Sequence, residues 1–83
     1  MITAAQMRAA RALLGMDQRE LAERSGLSLP TIQRMEASDG LISGNVDSLM
    51  KLIAGLEEAG VVLIGEGTAS GAGGRGVRLK GIG

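Results

Sequence analysis

The chain contains no cysteine, no histidine and no aromatic residue, and its single proline is Pro30. Without cysteine there are no thiol nucleophiles and no disulfides. Without histidine the commonest zinc ligand and neutral-pH general base are gone as well. A disulfide-free chain is compatible with a reducing cytosol, so cytoplasmic residence is expected. The lack of aromatic side chains argues against gripping single-stranded nucleic acid by base stacking. Long hydrophobic runs are also missing. The opening MITAAQMRAARALLG is interrupted by Gln6, Arg8 and Arg11, which reads as neither a signal peptide nor a membrane span of about 20 apolar residues. The acids are scattered along helical stretches rather than paired. No catalytic residue, metal ligand or cofactor is therefore expected, and the chain is not read as an enzyme.

Net charge of one sign is lacking too, since the formal net charge over 83 residues is zero. A chain of this length has room for one small core. The charge is unevenly placed. Arg8, Arg11, Arg19, Arg24, Arg34 and Lys51 face eight acids up to Gly60, whereas Arg75, Arg78 and Lys80 face only Glu66 beyond it. A strongly basic footprint would by itself suggest nucleic-acid binding. Here local placement of Arg and Gln must carry any such reading.

Two textures follow one another: helices separated by glycines over residues 1–60, then a glycine-rich β segment over 61–83. Thr3-Ala4-Ala5-Gln6 has the form of a capping box. It predicts a helix to Leu14 with Met7, Ala10, Leu13 and Leu14 on one face and Gly15 as its stop. Asp17-Gln18-Arg19-Glu20 repeats the capping logic for a short second helix that buries Leu21 and Ala22 and ends at Gly26. Ser28 caps a third helix with Pro30 in its first turn, where a missing N–H costs nothing. Ile32 and Met35 are its core residues and Asp39-Gly40 its expected end. Asn45 caps a longer fourth helix, with Val46, Leu49, Met50, Leu52, Ile53 and Leu56 as a wide buried stripe closed by Gly60. Val61-Val62-Leu63-Ile64 and Gly76 to Lys80 read as strands joined by a flexible loop over 66–75.

The informative stretch is DQRELAERSGLSLPTIQRME, from Asp17 to Glu36. Two short helices meet across Ser25-Gly26-Leu27, a connection so brief that they must cross steeply; small Ala22 and Gly26 permit their contact. The run Gln18-x-x-Leu21-Ala22, with Gly26, Ser28, Thr31-Ile32, Met35-Glu36 and the preceding Arg11-Ala12-Leu13-Leu14-Gly15, resembles the phage repressor and Cro (Xre-type) helix-turn-helix family over roughly residues 3–60. That resemblance implies a mainly α, lambda-repressor-like bundle of about four helices, to which the strand pattern of the tail adds a C-terminal β-hairpin. It implies a prokaryotic transcriptional regulator, a repressor, whose partner is double-stranded DNA bearing a palindromic operator.

Roles follow position by position. Gln18 matches the family's phosphate-contacting residue at a helix N-terminus. Leu29, Pro30, Thr31, Gln33 and Arg34 match its exposed recognition positions, with Gln33 suited to adenine and Arg34 to guanine or phosphate. Arg11 and Glu36 match a structural ion pair. The departures are Leu29 and Pro30, which offer only apolar contacts such as a thymine methyl, and the acidic loop around Asp39.

An isolated hairpin is marginal in water, and the Val61–Ile64 run is apolar on both faces. Two hairpins joined across a two-fold axis into one sheet would hide it, with Val61, Val62, Leu63, Ile64, Val77 and Leu79 as dimerisation residues and the chain as a homodimer. The alternatives are an antitoxin-type autoregulator whose tail wraps a small toxin partner, and a protein-interaction module that has lost DNA binding, which zero net charge would suit.

Overall fold

The structure, a computed structural model, describes residues 2–65 and 74–81. Most of the loop expected over 66–75, and with it the tail's proposed wrapping of a toxin, lies outside the described residues. In chain order the elements are α1 (Ala4–Leu14), α2 (Gln18–Ser25), α3 (Leu29–Glu36), α4 (Val46–Ala59), β1 (Val61–Ile64) and β2 (Gly76–Leu79). The architecture is mainly helical with a C-terminal antiparallel hairpin, the class expected from the sequence.

Local chemistry explains the helix starts. Gln6 N–H donates to Thr3 Oγ1 at 3.1 Å and Thr3 N–H to Gln6 Oε1 at 2.9 Å, closing the capping box. Asp17, Ser28 and Asn45 each accept a backbone N–H three residues on, at the heads of α2, α3 and α4. Gly15 and Gly26 end α1 and α2, and Gly60 ends α4.

One expected boundary moves. The third helix was expected to run to Asp39-Gly40, but α3 stops at Glu36 with Ala37 as its cap. The chain then turns because residues 40–42 are tied to the N-terminus. Ala4 N–H donates to the Gly40 carbonyl at 2.9 Å, Ile42 N–H donates to the Ile2 carbonyl at 3.1 Å, and Leu41 bridges Thr3.

The core is one cluster assembled from every element but β2, with Met7, Leu21, Ile32, Met35, Leu52, Leu56 and Val61 completely enclosed. Residues expected to be buried but found outside are Val46 (66% exposed), Met50 (63%) and Leu13 (45%). The helix α4 is covered along the side of Leu49, Leu52, Gly55 and Leu56; at 100° per residue Val46 and Met50 fall beyond that arc.

The hairpin pairs Val61 with Leu79, Val62 with Arg78, Leu63 with Val77 and Ile64 with Gly76. It rests on α1 and α4. Gln6, itself buried, holds its far end: Nε2 donates at 3.0 Å to the carbonyls of both Ile64 and Gly76.

Candidate nucleic-acid interface

The geometry of the candidate site begins at the turn between α2 and α3. Gly26 adopts φ 75°, a left-handed conformation that a side chain would strain. The N–H groups of Gly26 and Leu27 both donate to the Ala22 carbonyl, at 3.0 and 3.1 Å, so the last turn of α2 is closed within three residues. Leu21, Ala22, Ile32 and Met35 are buried where the two helices meet the core. Their burial fixes how α3 stands on α2.

That burial leaves the opposite side of α3 outside. Pro30, Gln33 and Arg34 are exposed, within an arc of about 100° on a helical projection. Neither the Gln33 amide nor the Arg34 guanidinium has a hydrogen bond or ion pair with a described residue. Thr31 is half-buried, and its hydroxyl accepts from Ser28 Oγ at 2.9 Å. Leu29 is partly buried against the core, so only part of its side chain faces outward. The described residues of the hairpin lie on α1 and α4 and leave Gln33 and Arg34 uncovered.

Gln18 is the first residue of α2 and is half-buried. The Asp17 carboxylate beside it takes the Glu20 N–H at 2.8 Å. It leaves the N–H groups of Gln18 and Arg19 available, while its own charge opposes a phosphate nearby. Helical spacing sets Arg19 and Arg24 near Glu20 and Glu23. Arg24 Nε does reach Glu20 Oε2 at 3.0 Å, whereas Arg19 has no ion pair with a described residue. It remains an exposed cation at the N-terminal end of α2.

At the other end of α3, Glu36 is buried and its carboxylate faces Arg11. Arg11 Nε donates to Glu36 Oε2 at 2.8 Å, Nη2 pairs with Oε1, and Nη1 donates to the Met16 carbonyl at 3.0 Å. One guanidinium thus joins α1, the α1–α2 turn and α3. The hydrogen bond to Glu36 raises the Arg11 pKa above its usual value, outweighing the opposing effect of burial. Arg8 adds a contact that local sequence patterns do not reveal: its Nη1 donates to the Glu36 carbonyl at 2.8 Å. A cation at that carbonyl closes the C-terminus of α3, which has no glycine cap.

Of the six hairpin residues named for dimerisation, Val61 is completely enclosed in its own chain. Val62, Leu63, Ile64 and Val77 are half-buried, and Leu79 is 50% exposed. Among the described residues no cluster of acids has the form of a metal site, and no helix is long and apolar enough to cross a membrane.

Residues 7–46 match the family model described as Helix-turn-helix, a span running from α1 to the first residue of α4. No curated protein matches the chain.

Proposed function

We propose that the chain, whose residues 7–46 match the Helix-turn-helix family model, is a sequence-specific DNA-binding repressor of the Xre-type helix-turn-helix kind, acting as a homodimer. The carrying observation is the open side of α3, where the Gln33 amide and the Arg34 guanidinium stand exposed with no partner among the described residues. An unpaired guanidinium and amide, one residue apart on a rigid helix, have the reach and donor pattern for base edges in the major groove. Arg34 fits the O6 and N7 acceptors of guanine, and Gln33 fits the N6 and N7 groups of adenine. Pro30 and the outward part of Leu29 add apolar contact for a thymine methyl. Gln18 and Arg19, at the head of α2, fit a flanking phosphate and set the register of α3.

A homodimer supplies what one short helix lacks. Two recognition helices related by a two-fold axis, about 34 Å apart, read a palindrome on one face of the duplex. With zero formal net charge, long-range attraction to DNA is weak, so affinity depends on both half-sites being engaged. The cytoplasm fits this role. The family acts in regulation rather than catalysis, and the reading assigns the chain no reaction.

The test is selection of bound fragments from random duplex DNA, followed by titration of the enriched sequence across salt. Enrichment of a two-fold symmetric site, with affinity falling linearly on a log–log salt plot, is expected. No enrichment, or binding indifferent to salt, overturns the proposal in favour of a protein-interaction module, the reading that zero net charge favours.

A further inference from the structure

We propose, building on the homodimer reading above, that the seam between copies is the free edge of β1 together with the outer strip of α4, its occupant being β1 and α4 of a second copy of this chain.

Among the described residues the sheet has two strands, so each has an edge with no strand partner there. The two edges differ in charge. On the β2 side stand Arg78 and Lys80, both exposed, with Arg75 just ahead of the strand. Pairing β2 with its own copy would bring these like charges together, and basic residues are a common guard against edge pairing. The β1 side, Val61–Ile64, carries no charge. Val62, Leu63 and Ile64 are all half-exposed, an apolar run with nothing to repel its own copy.

Backbone direction agrees. Lys80 N–H donates to the Gly60 carbonyl at 2.8 Å, marking residues 60 and 80 as a hydrogen-bonded pair. Antiparallel alternation then makes 62/78 and 64/76 the next such pairs and turns the N–H and C=O of Val61 and Leu63 away from β2. Val61 is completely enclosed, so the N–H and C=O of half-buried Leu63 are the groups of that edge open to a partner.

Beside that edge runs a groove of about 240 Å³ lined by Ile2, Gln6, Ile53, Glu57, Leu63 and Gly65. Its apolar wall continues along α4. Ile53, Met50 and Val46 lie on one strip, with exposed Glu57 at its C-terminal end, and Met50 and Val46 are among the most exposed large apolar residues described. Leu63 of the strand and Ile53 of the strip both line the groove, and joining two copies along it gives the strand order β2-β1-β1-β2.

A two-fold antiparallel pairing must set one residue opposite its own copy, at the Cα separation of about 4.5–5.5 Å that a disulfide tolerates. The chain has no cysteine, so single-cysteine variants of the full chain report the seam directly. Val62→Cys, Leu63→Cys and Ile64→Cys are oxidised in parallel with Arg78→Cys and Leu79→Cys, while the parent chain is sedimented at micromolar concentration. The expected result is a dimeric parent, a covalent dimer from at least one β1 variant, and none from the β2 variants. A dimeric parent that crosslinks only through β2, or through neither strand, overturns the seam and leaves the homodimer standing. A parent sedimenting near 8.5 kDa overturns both. Met50→Lys, a change at an exposed position, should weaken the dimer roughly tenfold or more by burying a charge, with the far-ultraviolet circular dichroism unchanged. An unaltered dimer constant would remove α4 from the seam.

Discussion

Gly55 of α4 lies directly against Ser25 of α2: a Cβ added at Gly55 would stand 3.0 Å from Ser25 Cα and 3.2 Å from its backbone nitrogen. The obstacle is backbone, which cannot swing aside as a side-chain tip does. Ser25 is the last residue of α2, and its Oγ donates to the Leu21 carbonyl at 2.8 Å. At Gly55, α4 is therefore in close contact with the end of α2, just before the turn into α3. In Gly55→Ala an overpacking cost of about 1–3 kcal/mol, set against the ~1 kcal/mol that alanine gains in helix propensity, should leave a net loss of up to about 2 kcal/mol. Urea unfolding checks this; an unchanged midpoint would mean that α2 and α4 do not approach so closely.

The Arg11–Glu36 pair carries the orientation of α3 relative to α1. Removing one partner of a fully buried pair costs about 3–5 kcal/mol. Arg11 keeps 21% of its side chain exposed, so Glu36→Ala should cost less, about 2–3 kcal/mol. A raised Arg11 pKa contributes stability that is present at all pH values below its usual value and lost only as pH climbs through the raised one. The deficit of Arg11→Met should accordingly be the same at pH 6 and pH 9. A deficit that shrinks between those values would assign the effect to another group.

Gln6 ties the hairpin to α1 through two carbonyls at once. Gln6→Ala leaves the Ile64 and Gly76 carbonyls without that donor and opens the capping box, at about 1–3 kcal/mol for the lost buried partners. Amide hydrogen exchange should speed up most in β1 and β2 and least in α3. Uniform acceleration across the chain would show that the hairpin opens only with the whole fold.

The helix starts were legible because caps are local: Thr3, Asp17, Ser28 and Asn45 each act on an N–H three residues away. The exposed pair Gln33 and Arg34 was legible for the same reason, since buried Ile32 and Met35 place them on the other side. What escaped depends on distant partners. Gln6 reads as a cap, yet its amide reaches residues 58 and 70 positions away. Arg8 has no local partner in the sequence, yet its guanidinium donates to the Glu36 carbonyl at the end of α3. The end of α3 escaped because it is set by the N-terminal residues Ile2 and Ala4. Periodicity identified an apolar stripe on α4 but not its covered width, so Val46 and Met50 were expected inside.

Gln18→Ala should weaken binding to operator and non-operator duplexes by the same factor, because a phosphate contact positions without reading sequence. Its salt slope should match that of the parent chain, since a neutral side chain releases no counterion. Anisotropy titrations on both duplexes at several salt concentrations check this. A loss confined to the operator would place Gln18 against a base.

The most direct measurement is the affinity of Arg34→Ala for the selected operator and for variants of it changed one base pair at a time. The account predicts a loss of about 1–3 kcal/mol on the operator and relaxed discrimination at one position per half-site, with thermal stability unchanged. Operator affinity and base preference both equal to those of the parent chain would contradict the assignment of the open side of α3 as the surface that meets DNA.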